Sequence, residues 1–267
     1  MTNNNLHTFA VLAYKNSPYL EECILSLKNQ TVRSEIYIAT STPSGSLEQI
    51  SEKYKIRLLV NKISNGIADD WSYAYDQCET EYLTLAHQDD IYLSRYTESC
   101  LSAAKRNPVD RSLIIFTGYK ELVGTKVRNF APHLFIKNVL LFPFLFKQNI
   151  SSVLLKRSIL SFGNSIPCPT VMYHKSELGS FEFLKDFRCN MDWDAWLRLS
   201  LIKGSFVYVK DKLLLHRINE DSQTSRQIKK NVRRKEDRLI FERLWPRPMG
   251  FFLASIYSLA TKFNETQ

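Results

Sequence analysis

The 267-residue chain lacks the residues and motifs that mark several protein classes. Its five cysteines, at positions 23, 78, 100, 168 and 189, form no CxxC pair. This scatter argues against a disulfide scaffold or a zinc site and indicates reduced thiols. Only eight glycines are present, and the GxxxxGK[ST], GxGxxG and GxSxG motifs are absent. A P-loop, a dinucleotide fingerprint and a nucleophile elbow are therefore excluded.

Long apolar runs are also missing. The longest, at 134–146, holds ten apolar residues in thirteen and is interrupted by Lys137, Asn138 and Pro143. It is too short to span a bilayer. Because the first residues have neither a basic start nor a small-residue cleavage site, we expect no signal peptide and a cytoplasmic location.

Positive charge is concentrated in one segment. Lys and Arg number 36 against 27 Asp and Glu, which gives a net charge of +9. Residues 226–247 carry nine basic and three acidic side chains, or +6 of that excess. Such a segment favours a polyanionic partner, either an anionic membrane surface or nucleic acid.

The first 115 residues alternate between strand and helix patterns. Buried strands are predicted at 8–14, 35–40, 56–60, 82–86 and 112–117, with amphipathic helices between them. This order predicts an α/β fold with a mostly parallel sheet flanked by helices. Ligands of such sheets bind outside the carboxyl ends of the strands. Three polar clusters fall at predicted carboxyl ends and are expected to converge: Tyr14, Thr40–Ser41–Thr42 and residues 87–90.

The second half is less regular. Residues 163–180 have the composition of a loop, and a helix is predicted within 181–201. Two short strands, 206–209 and 212–216, precede a basic helix at 228–244. A last amphipathic helix is predicted to follow Pro248.

Two pairs of carboxylates stand out. Asp89 and Asp90 follow a buried strand, where like charges repel unless a cation or strong donors lie between them; a helix cap or a solvated turn is the alternative. Asp192 shares a helix face with Trp196, and an apolar wall would raise its pKa and suit a general base. The alternative explains the two aspartates equally well: acidic side chains are favoured near the N-terminus of a helix by its dipole. Asp194 would then pair with Arg198, four residues on.

Taken in order, four segments resemble a family 2 glycosyltransferase of the GT-A fold, of the bacterial surface-glycan type. They are LAYKNSPYLEECILSLKNQT, LAHQDDIYL, NMDWDAWLRLS and LLLHRINEDSQTS, and they span roughly residues 8–225. Several positions depart from the family pattern. His87 stands where an Asp is usual, Thr40–Ser41–Thr42 replaces an acidic strand end, and Met191 replaces the Glu before the catalytic Asp.

The resemblance implies an inverting transfer from a nucleotide-diphosphate sugar to a hydroxyl of a glycan acceptor. Asp192 matches the catalytic base, and Asp89, with Asp90 and His87, matches the site of Mn²⁺ or Mg²⁺. The implied donor-binding residues are Ala13, Tyr14, Thr40, Ser41, Thr42, Asp70, Asp89, His216 and Arg217.

The same resemblance implies a GT-A domain at 1–225, with a nucleotide-sugar half (1–118) and an acceptor half (119–225). Residues 226–267 then form a helical extension. This extension and the 134–146 run are expected to contact an anionic membrane on its cytosolic side, where a lipid-linked acceptor would lie. Packing on the core, or a homodimer interface, is the alternative.

Three other functions compete with surface polysaccharide synthesis. Met191 and His87 favour a catalytically inactive GT-A domain that serves as an assembly partner. The net charge suggests a nucleic-acid binder, but no reading-helix or stacking motif accompanies it, so nucleic acid is not the expected partner. A nucleotidyltransferase would carry a glycine-rich basic loop after the first strand, and AYKNSPYL is not one.

Overall fold

The computed structural model describes residues 5–106, 111–129, 131–218 and 223–263. Within these ranges the strands are β1 (His7–Ala13), β2 (Glu35–Thr40), β3 (Arg57–Val60), β4 (Tyr82–His87), β5 (Ile91–Tyr92), β6 (Ser112–Val123), β7 (Lys126–Arg128), β8 (Asn149–Ile150), β9 (Val171–His174) and β10 (Ser205–Ile218). The helices are α1 (Leu20–Lys28), α2 (Gly45–Tyr54), α3 (Ile67–Asp76), α4 (Tyr96–Lys105), α5 (Pro132–Leu140), α6 (Val153–Ser158), α7 (Lys175–Leu178), α8 (Met191–Ser200), α9 (Gln223–Leu244) and α10 (Arg247–Phe263). Short 3₁₀ turns lie at Phe142–Leu145 and Cys168–Thr170.

One sheet holds these strands in the order β3-β2-β1-β4-β9-β6-β10-β5, with β7 on β6 and β8 on β10. β1 to β4 are mutually parallel, and β10 runs parallel to β6. β9 enters between β4 and β6 in the opposite direction. The predicted mostly parallel α/β sheet is confirmed.

Helices cover both faces of the sheet because its central strands are apolar on both sides. Along β1, Phe9 and Val11 pack against α1, α2 and α4, whereas Ala10 belongs to the core on the other face. That second core includes Tyr75 of α3 and Trp196 of α8. Alternation of side chains along a strand accounts for this division.

The second half departs most from the sequence prediction. The predicted loop at 163–180 contains β9, which pairs with two strands distant in the chain. The two strands predicted at 206–209 and 212–216 are one strand, β10, with register shifts between Val209 and Leu214. Both differences have one cause, since pairing with β6 rather than local pattern determines these strands.

The C-terminal helices pack on the domain. Ile240 and Phe241 of α9 and Ala254 of α10 lie in the core that contains Trp193. α10 begins at Arg247, one residue before Pro248, because proline is tolerated in the first turn of a helix. In the part of the chain that the structure describes, no helix is both long and apolar enough to cross a membrane.

Candidate active site

A first cavity of about 620 Å³ opens at the carboxyl ends of β1, β2 and β4. Ala13 ends β1 and Tyr14 follows it, Ser41 follows β2, and Gln88 and Asp89 follow β4; all five line this cavity. The expected convergence of three strand ends is therefore present in the structure.

Asp70 lies at the base of the first cavity in a network of neutral donors. Ser41 Oγ donates to Asp70 Oδ2 at 2.7 Å, and Asn61 Nδ2 donates to Oδ1 at 3.1 Å. Gly66, with a φ of 136°, precedes α3 in a conformation that favours glycine and turns the chain along the cavity wall. Both oxygens of Asp70 are thus held in place before any ligand arrives.

The rim of the same cavity is joined by paired main-chain and side-chain bonds. Tyr14 N donates to Gln88 Oε1 at 3.2 Å, and Gln88 Nε2 donates back to Tyr14 O at 3.1 Å. Lys15 N donates to Thr42 Oγ1 at 2.6 Å. These bonds fix the segment after β1 relative to the ends of β2 and β4.

An acidic cluster borders the first cavity. One ligand atom each from His87, Asp89 and Asp90 lies within 4.8 Å of the others, as a metal ion requires. Nε2 of His87 and Oδ2 of Asp90 are buried and have no hydrogen-bond partner among the residues that the structure describes. Buried polar atoms without partners are costly, so a cation that took both would remove that cost.

Asp90 also links the cluster to β10. Its Oδ1 accepts hydrogen bonds from His216 Nδ1 and from the Arg217 amide, both at 2.9 Å. Burial alone would raise the pKa of Asp90, but the charge of His216 and the hydrogen bond between them hold it below its usual value. For His216, burial acts to lower the pKa, and the charge of Asp90 reverses the direction to a net rise.

The other two members of the cluster shift in opposite directions. Burial and the neighbouring charge of Asp90 raise the pKa of Asp89. Burial lowers the pKa of His87, which favours the neutral imidazole that can act as a metal ligand. His87 also packs on Trp71, with the ring centroids 5.3 Å apart.

A second cavity, of about 520 Å³, adjoins the first. Trp71 and His87 line both cavities. Asp192, near the start of α8, and His216 line the second one. The acidic cluster and the α8 aspartate therefore lie at neighbouring chambers that share a wall.

Asp192 is held in a defined orientation. Asn164 Nδ2 donates to its Oδ2 at 2.9 Å, and the Trp193 amide donates to its Oδ1 at 2.8 Å. Burial raises the pKa of Asp192, and these two hydrogen bonds only partly oppose the rise. A half-buried carboxylate of raised pKa that faces a cavity can accept a proton.

Asp194 has a different role from its neighbour. Arg198 Nε donates to Asp194 Oδ2 at 2.8 Å, which confirms the pairing predicted from their spacing. Arg243 of α9 also donates, to Oδ1 at 3.1 Å. Asp194 is buried and joins α8 to α9, away from both cavities.

α9 also holds the segment that leads into α8. The Glu236 carboxylate accepts hydrogen bonds from the amides of Arg188, Cys189 and Asn190 at 2.8 to 2.9 Å. Asp237 Oδ1 accepts another from Asn190 Nδ2 at 2.7 Å. The position of Asp192 is thus tied to a helix more than forty residues away in the sequence.

Four of the predicted site residues line neither cavity: Thr40, Thr42, Asp90 and Arg217. Arg217 instead donates to Glu22 Oε2 at 2.5 Å and to the Asp89 carbonyl at 2.9 Å, and it lies over the ring of Tyr19. The remaining eight all line a cavity: Ala13, Tyr14, Ser41, Asp70, His87, Asp89, Asp192 and His216.

Several residues that line the cavities were not predicted as site residues from the sequence. Asn61 and Lys62 follow the third strand of the parallel group, and the strand-end rule that found Ser41 would have found them too. Lys137, Asn164 and Arg233 offered no such signal, since they reach the second cavity from segments that only the tertiary fold brings together.

The family model of glycosyl transferase family 2 matches residues 8–166, more than half of the sequence. The chain belongs to this family. The matched range contains β1 except its first residue, β2 to β4, and the acidic cluster. No curated protein sequence matches the chain significantly.

Solved structures share the GT-A fold. S. aureus TarS 1-349 in complex with UDP-GlcNAc superposes with a TM-score of 0.63 at 17% identity, over 93% of this chain and 70% of that one. The mannosyltransferase PcManGT from Pyrobaculum calidifontis, in complex with GDP-Man and Mn²⁺, superposes with a TM-score of 0.61 at 13% identity. That match covers 97% of this chain and 75% of the other.

Proposed function

We propose that the protein is an inverting glycosyltransferase that uses a nucleotide-diphosphate sugar and a divalent cation. The observation that carries the proposal is the shared wall of the two cavities, with the acidic cluster on one side and Asp192 on the other. The donor would bind on one side of this wall and the acceptor on the other. In a one-step displacement with inversion, the acceptor hydroxyl attacks the anomeric carbon from the side opposite the leaving diphosphate.

The first cavity would bind the nucleotide. Asp70, held by Ser41 and Asn61, presents a fixed carboxylate to a ribose or base, and Tyr14 offers an exposed aromatic ring. Glycosyl transferases with this fold have been solved with UDP-GlcNAc and with GDP-Man, which supports a nucleotide-sugar donor.

A divalent cation fits the acidic cluster. His87 Nε2, Asp90 Oδ2 and the Asp89 carboxylate would hold Mn²⁺ or Mg²⁺, as the two buried atoms without partners suggest. When bound, it would neutralise the diphosphate and favour its departure. On the other side of the wall, Asp192 would take the proton of the attacking hydroxyl, with Asn164 keeping the carboxylate in position.

Calorimetric titration with UDP, GDP, dTDP and CMP, with and without Mn²⁺, tests the proposal. We expect one nucleotide to bind in a metal-dependent manner, and Asp89→Ala to abolish that binding. Asp211→Ala removes an exposed carboxylate at the register shift within β10 and serves as the matched control. If no nucleotide binds under either condition, the enzyme proposal fails and a role as an assembly partner is favoured.

We also propose that the acceptor is lipid-linked, in surface polysaccharide synthesis, and that the protein lies on the cytosolic face of an anionic membrane. α5 and the following 3₁₀ turn expose Phe135, Val139, Phe142, Leu145 and Phe146, the last at 76%. α10 exposes further large apolar side chains. Isolated exposed apolar residues are common, but a run of this size indicates a binding surface.

Co-sedimentation with phosphatidylcholine vesicles, with and without phosphatidylglycerol, tests this surface. We expect binding to the anionic vesicles that the double variant Phe142→Ser/Phe146→Ser weakens. Leu25→Ser, on an exposed face of α1, is the control. If the wild type does not bind vesicles and sediments as a dimer that the double variant disrupts, the surface is a homodimer interface instead.

A further inference from the structure

Three cationic side chains meet at the second cavity from different parts of the fold. Lys137 comes from α5, Arg188 from the segment before α8, and Arg233 from α9. Asp192 lies in the same cavity, and its pKa responds to the charges of Arg233 and Lys137.

These three cations differ from other basic side chains nearby in their ion pairing. In the parts of the chain that the structure describes, none of them lies within ion-pair distance of a carboxylate. Arg128, in the same cavity, contrasts with them because it forms an ion pair with Glu121 at 2.5 Å. On α9 itself, Arg238 and Arg243 are both in ion pairs.

The cations at this cavity act on one another. Burial lowers the pKa of Lys137, and so does the like charge of Arg233. The Tyr119 hydroxyl, 3.0 Å from Lys137 Nζ, raises it and, together with Tyr257, gives a net rise. Cations that converge on a cavity repel one another, and an anion placed between them removes that repulsion. Arginine is suited to this because its guanidinium binds phosphate or carboxylate through two parallel hydrogen bonds.

We propose that the second cavity recognises its acceptor by an anionic group, a phosphate or a carboxylate, held by Lys137, Arg188 and Arg233 beside Asp192. The proposal rests on the proposed transferase function, because only a transferase has an acceptor substrate. Anion binding can nevertheless be measured without any transfer. The anion could belong to the glycan or to the diphosphate of a carrier lipid, since Ile136 and Leu140 form an apolar wall of the same cavity.

Calorimetric titration of the full chain with glucose 1-phosphate, glucuronate and glucose tests the proposal, with and without Mn²⁺ and the nucleotide that binds. We expect the two anionic sugars to bind and glucose not to. Arg188→Gln and Arg233→Gln should each weaken that binding about tenfold or more, because each removes charge-assisted hydrogen bonds. Arg234→Gln, at the exposed neighbouring position on α9, is the matched control.

Two further arms identify the source of the anion. Tighter binding of farnesyl diphosphate than of inorganic diphosphate would assign the anion to a carrier lipid. Tighter binding of glucose 1-phosphate or glucuronate than of either diphosphate would assign it to the glycan.

The outcomes separate this proposal from the transferase proposal. Equal binding, or equal absence of binding, for glucose and its anionic counterparts would overturn the anion site. A parallel loss of nucleotide affinity in Arg188→Gln and Arg233→Gln would also overturn it, because the cations would then belong to the donor. If no nucleotide binds, the transferase proposal is refuted, but the titration with anionic sugars still tests the anion site.

Discussion

The two cavities differ in how their polar groups are satisfied. The first is built from residues 12–89, and its carboxylate Asp70 is already hydrogen-bonded to Ser41 and Asn61. The second draws on segments across 67–257, and in the described part of the chain its Lys137, Arg188 and Arg233 have no ion-pair partner. A cavity at adjacent strand ends can organise itself locally, whereas one assembled from distant segments depends on long-range contacts.

The largest expected effect concerns Asp192 in the second cavity. Asp192→Asn should lower kcat by about 10²–10⁴-fold, the usual contribution of a general base, while nucleotide affinity stays unchanged. Steady-state kinetics and calorimetry together check this split. Asp186→Asn, at an exposed position before α8, should leave both unchanged. A loss of nucleotide binding in Asp192→Asn would contradict the proposal that the first cavity binds the nucleotide and the second holds the general base.

The same residue predicts the pH dependence of the reaction. Because burial raises its pKa, Asp192 takes up its proton at a higher pH than an ordinary aspartate. Only the deprotonated form can accept a proton, so kcat should fall as the pH decreases through that raised pKa. A pH–rate profile should show this acid limb above the usual range of aspartate, near 3.9. An acid limb at or below that range would contradict the prediction.

The dependence of the second cavity on long-range contacts can be tested at Glu236. Glu236→Ala leaves three main-chain amides without their charged acceptor and should cost about 3 kcal/mol of unfolding free energy. Urea denaturation measures this loss. Glu242→Gln, which removes an ion pair with the exposed Arg238, should cost less than about 1 kcal/mol.

A smaller effect is expected in the first cavity. Asp70→Asn keeps the shape but removes the charge, and should weaken nucleotide affinity about tenfold, or about 1.4 kcal/mol. Calorimetric titration of the nucleotide checks this value. The response to Mn²⁺ should persist, because the acidic cluster is untouched. If Asp70→Asn instead removes the metal dependence, the cavity and the cluster are not separable.

The sequence was most informative where structure follows from local pattern. Apolar strands such as Tyr82–His87 are recognisable alone, and the parallel order then places Tyr14, Ser41 and Asp89 together. The acidic cluster could be predicted for the same reason. The contact of Arg217 with Glu22 could not be predicted, since the two residues are 195 positions apart in the sequence.

Residues of α9 show why the rest was not predictable. Helical periodicity identifies the helix and its apolar stripe, and the basic composition suggests a solvated or membrane-facing surface. Nothing in that pattern says that Glu236 binds three amides before α8, or that Arg233 reaches the second cavity. The division of the chain at residue 225 stays a prediction, although contacts of α9 cross it.

The bonds of Glu236 also bear on the order in which the protein is made. The three amides that it binds lie 46 to 48 residues earlier in the chain. During synthesis, residues 12–89 leave the ribosome long before residue 236 exists, and domains form from the N-terminus onward. The nascent chain can therefore form the first cavity while the segment that carries Asp192 still lacks its anchor. On the proposed function, the general base would be fixed in place only after the donor cavity has formed.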